Sequence, residues 1–146
     1  MSKRFLAPLA VHVFLRKGDW VLLLRRAHTG YEDGNYCVVA GHLDGEETVA
    51  AAAVREAREE AGIEIALADV RVVGIMHRRE DDERVDFFVE VDRWIGEPVN
   101  REPHKCDELA WYHLQELPTN TIPYIRRALE NASTGTYFDT FGKFPE

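Results

Sequence analysis

Short apolar runs separated by polar turns make up most of the chain, and one long alanine-rich segment interrupts them. Leu9 to Leu15 is rich in β-branched and aromatic residues and predicts a strand. The turn Lys17-Gly18-Asp19 and a second run, Trp20 to Leu24, complete a hairpin. His28 to Asn35 reads as a polar, glycine-containing loop, and Tyr36 to Val39 as a short strand leading into Gly41. Val70 to Met76 and Val85 to Val91 predict two strands joined by the charged turn Glu80 to Glu83, and Leu109 to Tyr112 predicts a last strand. Thr121 is placed to cap a helix from Ile122 to Asn131, with Pro123 tolerated in its first turn. The tail from about residue 133 carries no pattern and is expected to be loosely ordered.

Glu47 to Ala61 predicts the one long helix with strong signals. Six residues from Ala50 to Ala61 are alanine, the best helix former, and Gly62 supplies a stop. At about 100° per residue, Ala50, Val54, Ala57 and Ala61 form the stripe expected to pack on a sheet. Glu56, Glu59 and Glu60 then project from the opposite side. The order of strands, helix, strands and helix predicts an α+β chain, an α/β/α sandwich around a mixed central sheet. A length of 146 residues fits one domain spanning 1–146.

Composition adds exclusions. A formal charge of −8 argues against an electrostatic grip on nucleic acid. The apolar stretch near the N-terminus is broken by Pro8, His12, Arg16 and Lys17, so it reads as neither a signal peptide nor a membrane span. Cys37 and Cys106 lack metal-type spacing and do not suggest a disulfide scaffold. A soluble cytoplasmic protein is expected, with no membrane and no nucleic-acid partner.

Glu56, Glu59 and Glu60 stand at i, i+3 and i+4, a spacing that gathers like charges at some cost to an isolated helix. Arg55 offsets part of it by reaching Glu59. Such a hard-oxygen cluster suits Mg²⁺ or Mn²⁺, which keep several waters and share coordination with substrate phosphates. Taken alone, the segment reads more readily as a solvated helix face than as a metal site.

The approach to the helix decides between these. Gly41, Glu47, Arg55, Glu56, Ala57, Glu59, Glu60, Gly62 and Ile63 fit the pattern G-x5-E-x7-R-E-U-x-E-E-x-G-U at every specified position. The segment resembles the signature of the Nudix hydrolases, with Gly34-Asn35-Tyr36 similar to the G-x-W that often precedes it. The resemblance covers residues 5 to about 131 and implies a Nudix-type sandwich. It implies Glu56, Glu59 and Glu60 as Mg²⁺ ligands, with Mn²⁺ as a substitute and the Gly41 carbonyl as a further ligand. Arg55 and Glu47 would support the loop–helix joint. A further catalytic carboxylate is expected from a later loop, with Glu102 the best-placed candidate and Asp107 and Glu108 as alternatives.

The resemblance also has departures. Val39-Ala40-Gly41 replaces the common Pro-Gly-Gly, which demands an ordinary φ at Ala40. Marks of ADP-ribose-type and coenzyme A-type members are absent, which leaves a nucleoside triphosphate pyrophosphohydrolase releasing the monophosphate. Arg25, with Arg26 beside it, and His42 are candidates for phosphate contact; Tyr36 and Phe87 are candidates for stacking on a base. The competing reading is a catalytically silent Nudix domain that binds a small-molecule nucleotide as a regulatory sensor. Three mutually repelling carboxylates weigh against it. An acidic face serving as a protein contact ranks last. The tail aromatics Tyr137, Phe138, Phe141 and Phe144 would dock on their own domain or on a second copy in a homodimer.

Overall fold

The structure, a computed structural model, describes residues 3–146. Strand β1 (Leu9–Lys17) is the hub. It pairs antiparallel with β4 (Val39–His42) and parallel with β6 (Glu83–Val91). β6 forms the predicted hairpin with β5 (Arg71–Arg79). The β1–β2 hairpin is real only at its turn: β2 (Trp20–Arg26) pairs with β1 at Arg16↔Val21 and Lys17↔Trp20. Beyond that turn β2 pairs with β3 (Tyr36–Cys37) and β7 (Cys106–His113). The predicted strand from Tyr36 to Val39 is thus split, and its second half runs on through Gly41 to His42.

Helix α1 (Val49–Ala61) begins after Glu47, because the Thr48 hydroxyl accepts from the Ala51 amide at 3.0 Å and caps it. Gly62 closes it in the left-handed conformation at φ 67°. Its buried residues are Ala52, Ala53, Glu56, Ala57 and Ala61, while Ala50 and Val54 are only partly buried. The packing stripe is therefore rotated from the predicted one, and it carries Glu56 inward instead of leaving it on the solvent side. Methyl-sized side chains bring α1 close to β4 and β1, which leaves room for one longer group only where the strand is bare.

Helix α2 (Pro123–Thr134) packs across β5. Its N-cap is Ile122, not Thr121, whose hydroxyl is used by the Pro118 carbonyl at 2.7 Å. Pro123 at the first position removes one amide that would otherwise need a partner. The tail is ordered: β8 (Phe138–Gly142) pairs parallel with β5, and Asp139 accepts from Asn131 at 2.8 Å and Arg127 at 3.1 Å. Five residues give too short a period-2 alternation to announce this strand. The result is a mixed sheet with a helix on each face, the α/β/α sandwich. No helix among the described residues is long and apolar enough to cross a membrane.

Candidate active site

Register places the bare segment of β4 against α1. Gly41 pairs with Val11, and Ala40, whose φ is not positive, pairs with His12. A Cβ on Gly41 would lie 2.7 Å from Glu56 Oε2 and closer still to Oε1 and Cδ. The Glu56 carboxyl therefore lies directly over the strand, in space that only glycine leaves open. One helical turn on, Glu60 Oε1 accepts from the Ala40 amide at 3.3 Å. Burial and then the neighbouring Glu56 push the Glu60 carboxyl well above the usual range. Glu59 is exposed beside them.

Arg55 ties the helix to the preceding loop. Its guanidinium donates to Glu47 at 2.8 and 3.2 Å, to the His42 carbonyl at 3.1 Å and to Glu56 at 2.7 Å, and lies 3.5 Å from Glu59. Glu47 also accepts from the Asp44 amide at 2.9 Å, and its hydrogen bond from Arg55 holds its carboxyl below the usual range. The one cation thus orients the glutamates without covering their cleft.

That cleft has a volume of about 470 Å³ and is lined by Glu56, Glu59, Glu60 and Glu102, with Arg26, His42 and Lys105 at its edge. Glu102 comes from the loop before β7, and Lys105 Nζ lies 3.8 Å from it. Asp107 and Glu108 are turned away: Asp107 pairs with Arg25 at 2.7 Å, and Glu108 accepts from Tyr36 at 3.0 Å and from Tyr112. The buried thiols Cys37 and Cys106 are both free, and burial pushes Cys37 up to about 12.

Among the described residues, no three acidic, histidine or cysteine side chains already converge as a closed metal cage. The carboxylate oxygens around the Gly41 cradle nonetheless match a hard divalent cation that keeps part of its water shell. Glu56, Glu59 and Glu60, with the Gly41 carbonyl, are the groups that would hold it.

A second cavity of about 370 Å³ adjoins the first, with Arg26, Ala40 and His42 lining both. Its walls carry His12, Tyr31, Arg78, Arg84 and Tyr124. Arg84 is held by Asp82 at 2.8 and 2.9 Å and lies 3.3 Å from the His42 ring. Arg78 stacks on Tyr124 at 3.6 Å.

Three of the candidate substrate contacts lie outside both cavities. Arg25 is neutralised by Asp107, and successive side chains on a strand face opposite ways, so Arg26 is the residue presented to the clefts. Tyr36 is buried, edge-on to Tyr112 at 5.3 Å. Phe87 lines neither cavity, whereas its neighbours Asp86 and Phe88 are fully buried beneath the second. Lys105, Arg78, His12 and Asp86 are not among the sequence candidates; strand alternation puts Arg25 and Arg26 on opposite faces without saying which of them meets the clefts.

Comparison with known proteins bears on this arrangement. A family model described as NUDIX domain matches residues 4–132. The chain is 32% identical over 130 residues to an NAD-capped RNA hydrolase NudC of Photorhabdus laumondii subsp. laumondii, covering 86% of this chain but only 47% of that protein. It is 31% identical over 140 residues to an isopentenyl-diphosphate Delta-isomerase of Cereibacter sphaeroides, covering 85% of this chain and 77% of that one. Among solved structures, a MutT NUDIX hydrolase from Burkholderia pseudomallei superposes with a TM-score of 0.79 at 24% identity, covering 86% of this chain and 98% of that one.

Proposed function

The chain belongs to the NUDIX family, and on that premise we propose that it is a Mg²⁺-dependent pyrophosphohydrolase of nucleoside triphosphates, releasing the nucleoside monophosphate and pyrophosphate. The observation that carries the reading is the pairing of two cavities across Ala40 to His42, one acidic and one of mixed charge with aromatic walls. The acidic cleft suits a diphosphate with its divalent cation, and the second cavity suits the organic moiety. Arg26 lines both and is placed to bridge them as a phosphate contact.

Relatives differ in chemistry, one named as a hydrolase and the other as an isomerase of isopentenyl diphosphate. The lining of the second cavity favours the nucleotide side. Arg26, Arg78, Arg84, Glu80 and Asp82 make it a poor host for a hydrocarbon chain.

When bound, the cation would neutralise phosphate oxygens and lower the pKa of a coordinated water. The chain's own groups do the rest. Glu56 and Glu60 are fixed by Arg55, Ala40 and the Gly41 cradle, so little reorganisation remains at the moment of reaction. Glu102 faces them across the cleft and takes the proton of the attacking water on its carboxylate. The water oxygen forms the new bond to phosphorus as the bridging P–O bond breaks in line, and pyrophosphate leaves.

The test is a panel of nucleoside triphosphates, nucleotide sugars, NAD-capped RNA and isopentenyl diphosphate, each with Mg²⁺ and with Mn²⁺. Monophosphate and pyrophosphate from at least one triphosphate are expected. Double-bond isomerisation of isopentenyl diphosphate with no nucleotide hydrolysed would overturn the reading. Nucleotide binding with no turnover by any member would favour a sensor.

A further inference from the structure

Beneath the second cavity lies a buried polar system that the hydrolytic step does not use. Asp86 is fully buried, and both its oxygens are engaged. Oδ1 accepts from His12 Nε2 at 2.9 Å and Oδ2 from Arg78 Nε at 2.7 Å. With Nε2 donating to the carboxylate, a neutral His12 has its lone pair on Nδ1. That atom is the one buried side-chain nitrogen or oxygen without a partner among the described residues. A ring flip would place carbon against Asp86. The ring is further fixed by stacking on Phe88 at 4.9 Å and by the edge of Tyr124 at 5.5 Å.

Buried acceptors are nearly always satisfied, and a lone exception calls for a partner. His12 is 4% exposed and lines the second cavity. We propose that His12 Nδ1 is a specificity-reading acceptor, satisfied when the organic moiety seated in the second cavity presents an N–H or O–H donor to it. The small side-chain adjustment that accompanies ligand seating brings the two into contact. Asp86 is the positioning residue: it sets the tautomer of His12 and, through Arg78, the wall beside it. The preferred substrates are then nucleotides whose base or sugar carries an amino, imino or hydroxyl hydrogen at that place. This rests on the reading that the second cavity holds the nucleoside.

The experiment compares matched ligands that differ by one donor. Pairs of monophosphates are adenosine against purine riboside, guanosine against inosine, cytidine against 2-pyrimidinone riboside, and ribo- against deoxyribo-. Binding is measured by calorimetry in EDTA, so turnover is not required and failure of the hydrolytic reading leaves this result intact. In at least one pair the wild type is expected to favour the donor-bearing ligand by about 10- to 100-fold. His12→Phe is expected to erase that ratio by weakening the donor-bearing ligand alone. A wild type indifferent to every pair, or a His12→Phe variant with the ratio intact, as a resident water on Nδ1 would leave it, overturns the proposal. Should His12→Phe not fold, the wild-type ¹⁵N resonance of His12 Nδ1 answers the same question. It moves upfield when the lone pair accepts a hydrogen bond, and ligand binding without that movement also overturns the proposal.

Discussion

The Glu56 carboxyl occupies the space in which a side chain at position 41 would begin. Strand and helix are thereby joined by an acid lying on bare backbone, and the two residues cannot vary independently. Gly41→Ala is expected to displace the carboxyl sideways while leaving the strand paired, since the clash is with the far end of a flexible side chain. A misplacement of this kind costs about a hundredfold in turnover. A Mg²⁺ titration of activity, with a melting curve as control, checks it: half-saturation should rise while the fold persists.

Glu60→Gln separates the charge of the cluster from its shape. Mg²⁺-dependent hydrolysis is expected to fall by about a hundredfold or more. In EDTA the variant should melt no lower than the wild type, because a carboxyl held up by burial and by Glu56 is no asset to the metal-free fold. Added Mg²⁺ should raise the wild-type melting temperature and leave that of the variant nearly unchanged. Full activity in Glu60→Gln would remove it from the site.

Glu102→Gln tests the proton acceptor. Loss of a general base lowers kcat by about 10²- to 10⁴-fold, with little change in nucleotide affinity measured without metal. Parallel loss of binding would instead make Glu102 a binding group.

Asp86 sets an acid limit on stability. Burial alone would raise its pKa, but the hydrogen bonds from His12 and Arg78 and the Arg78 charge outweigh that and hold it at about 2. A depressed carboxyl stabilises the fold above its unfolded pKa near 3.8, and that contribution, on the order of 2 kcal/mol, fades as pH falls from about 4 to about 2. Urea unfolding across this range should show the loss in the wild type. Asp86→Ala should be destabilised by about 3–5 kcal/mol at neutral pH, since it leaves Arg78 without its buried partner, and the acid-dependent step should disappear with it.

Most of the candidate site is legible in the sequence because it lies on one helix and the loop before it. There spacing fixes which side chains share a turn, so Glu56, Glu59, Glu60 and Arg55 follow from it, whereas Glu47, ahead of the Thr48 cap, is placed only by the resemblance. What spacing could not fix was the rotation of the helix on its sheet, which depends on a bare patch of β4 supplied by Gly41. Nor could it assign faces on strands whose neighbours were unknown. Arg25 and Arg26 are both cations at a strand end, and only the pairing of β2 with β7 commits Arg25 to Asp107. The His12–Asp86 contact joins positions 74 residues apart through parallel pairing of β1 and β6, which no local pattern announces. The tail strand is hidden from local pattern for the same reason, since β8 is a strand only by virtue of its pairing with β5.

The alanines of α1 have a consequence for how this sequence can drift. Ala52, Ala53, Ala57 and Ala61 have no rotamers with which to absorb a change, and all are fully buried. A larger residue at any of them must lift the helix, and the helix carries the glutamates. Substitutions that in another core would be silent repacking would here be felt in turnover. Selection on catalysis would then police the interior as strictly as it does the cleft.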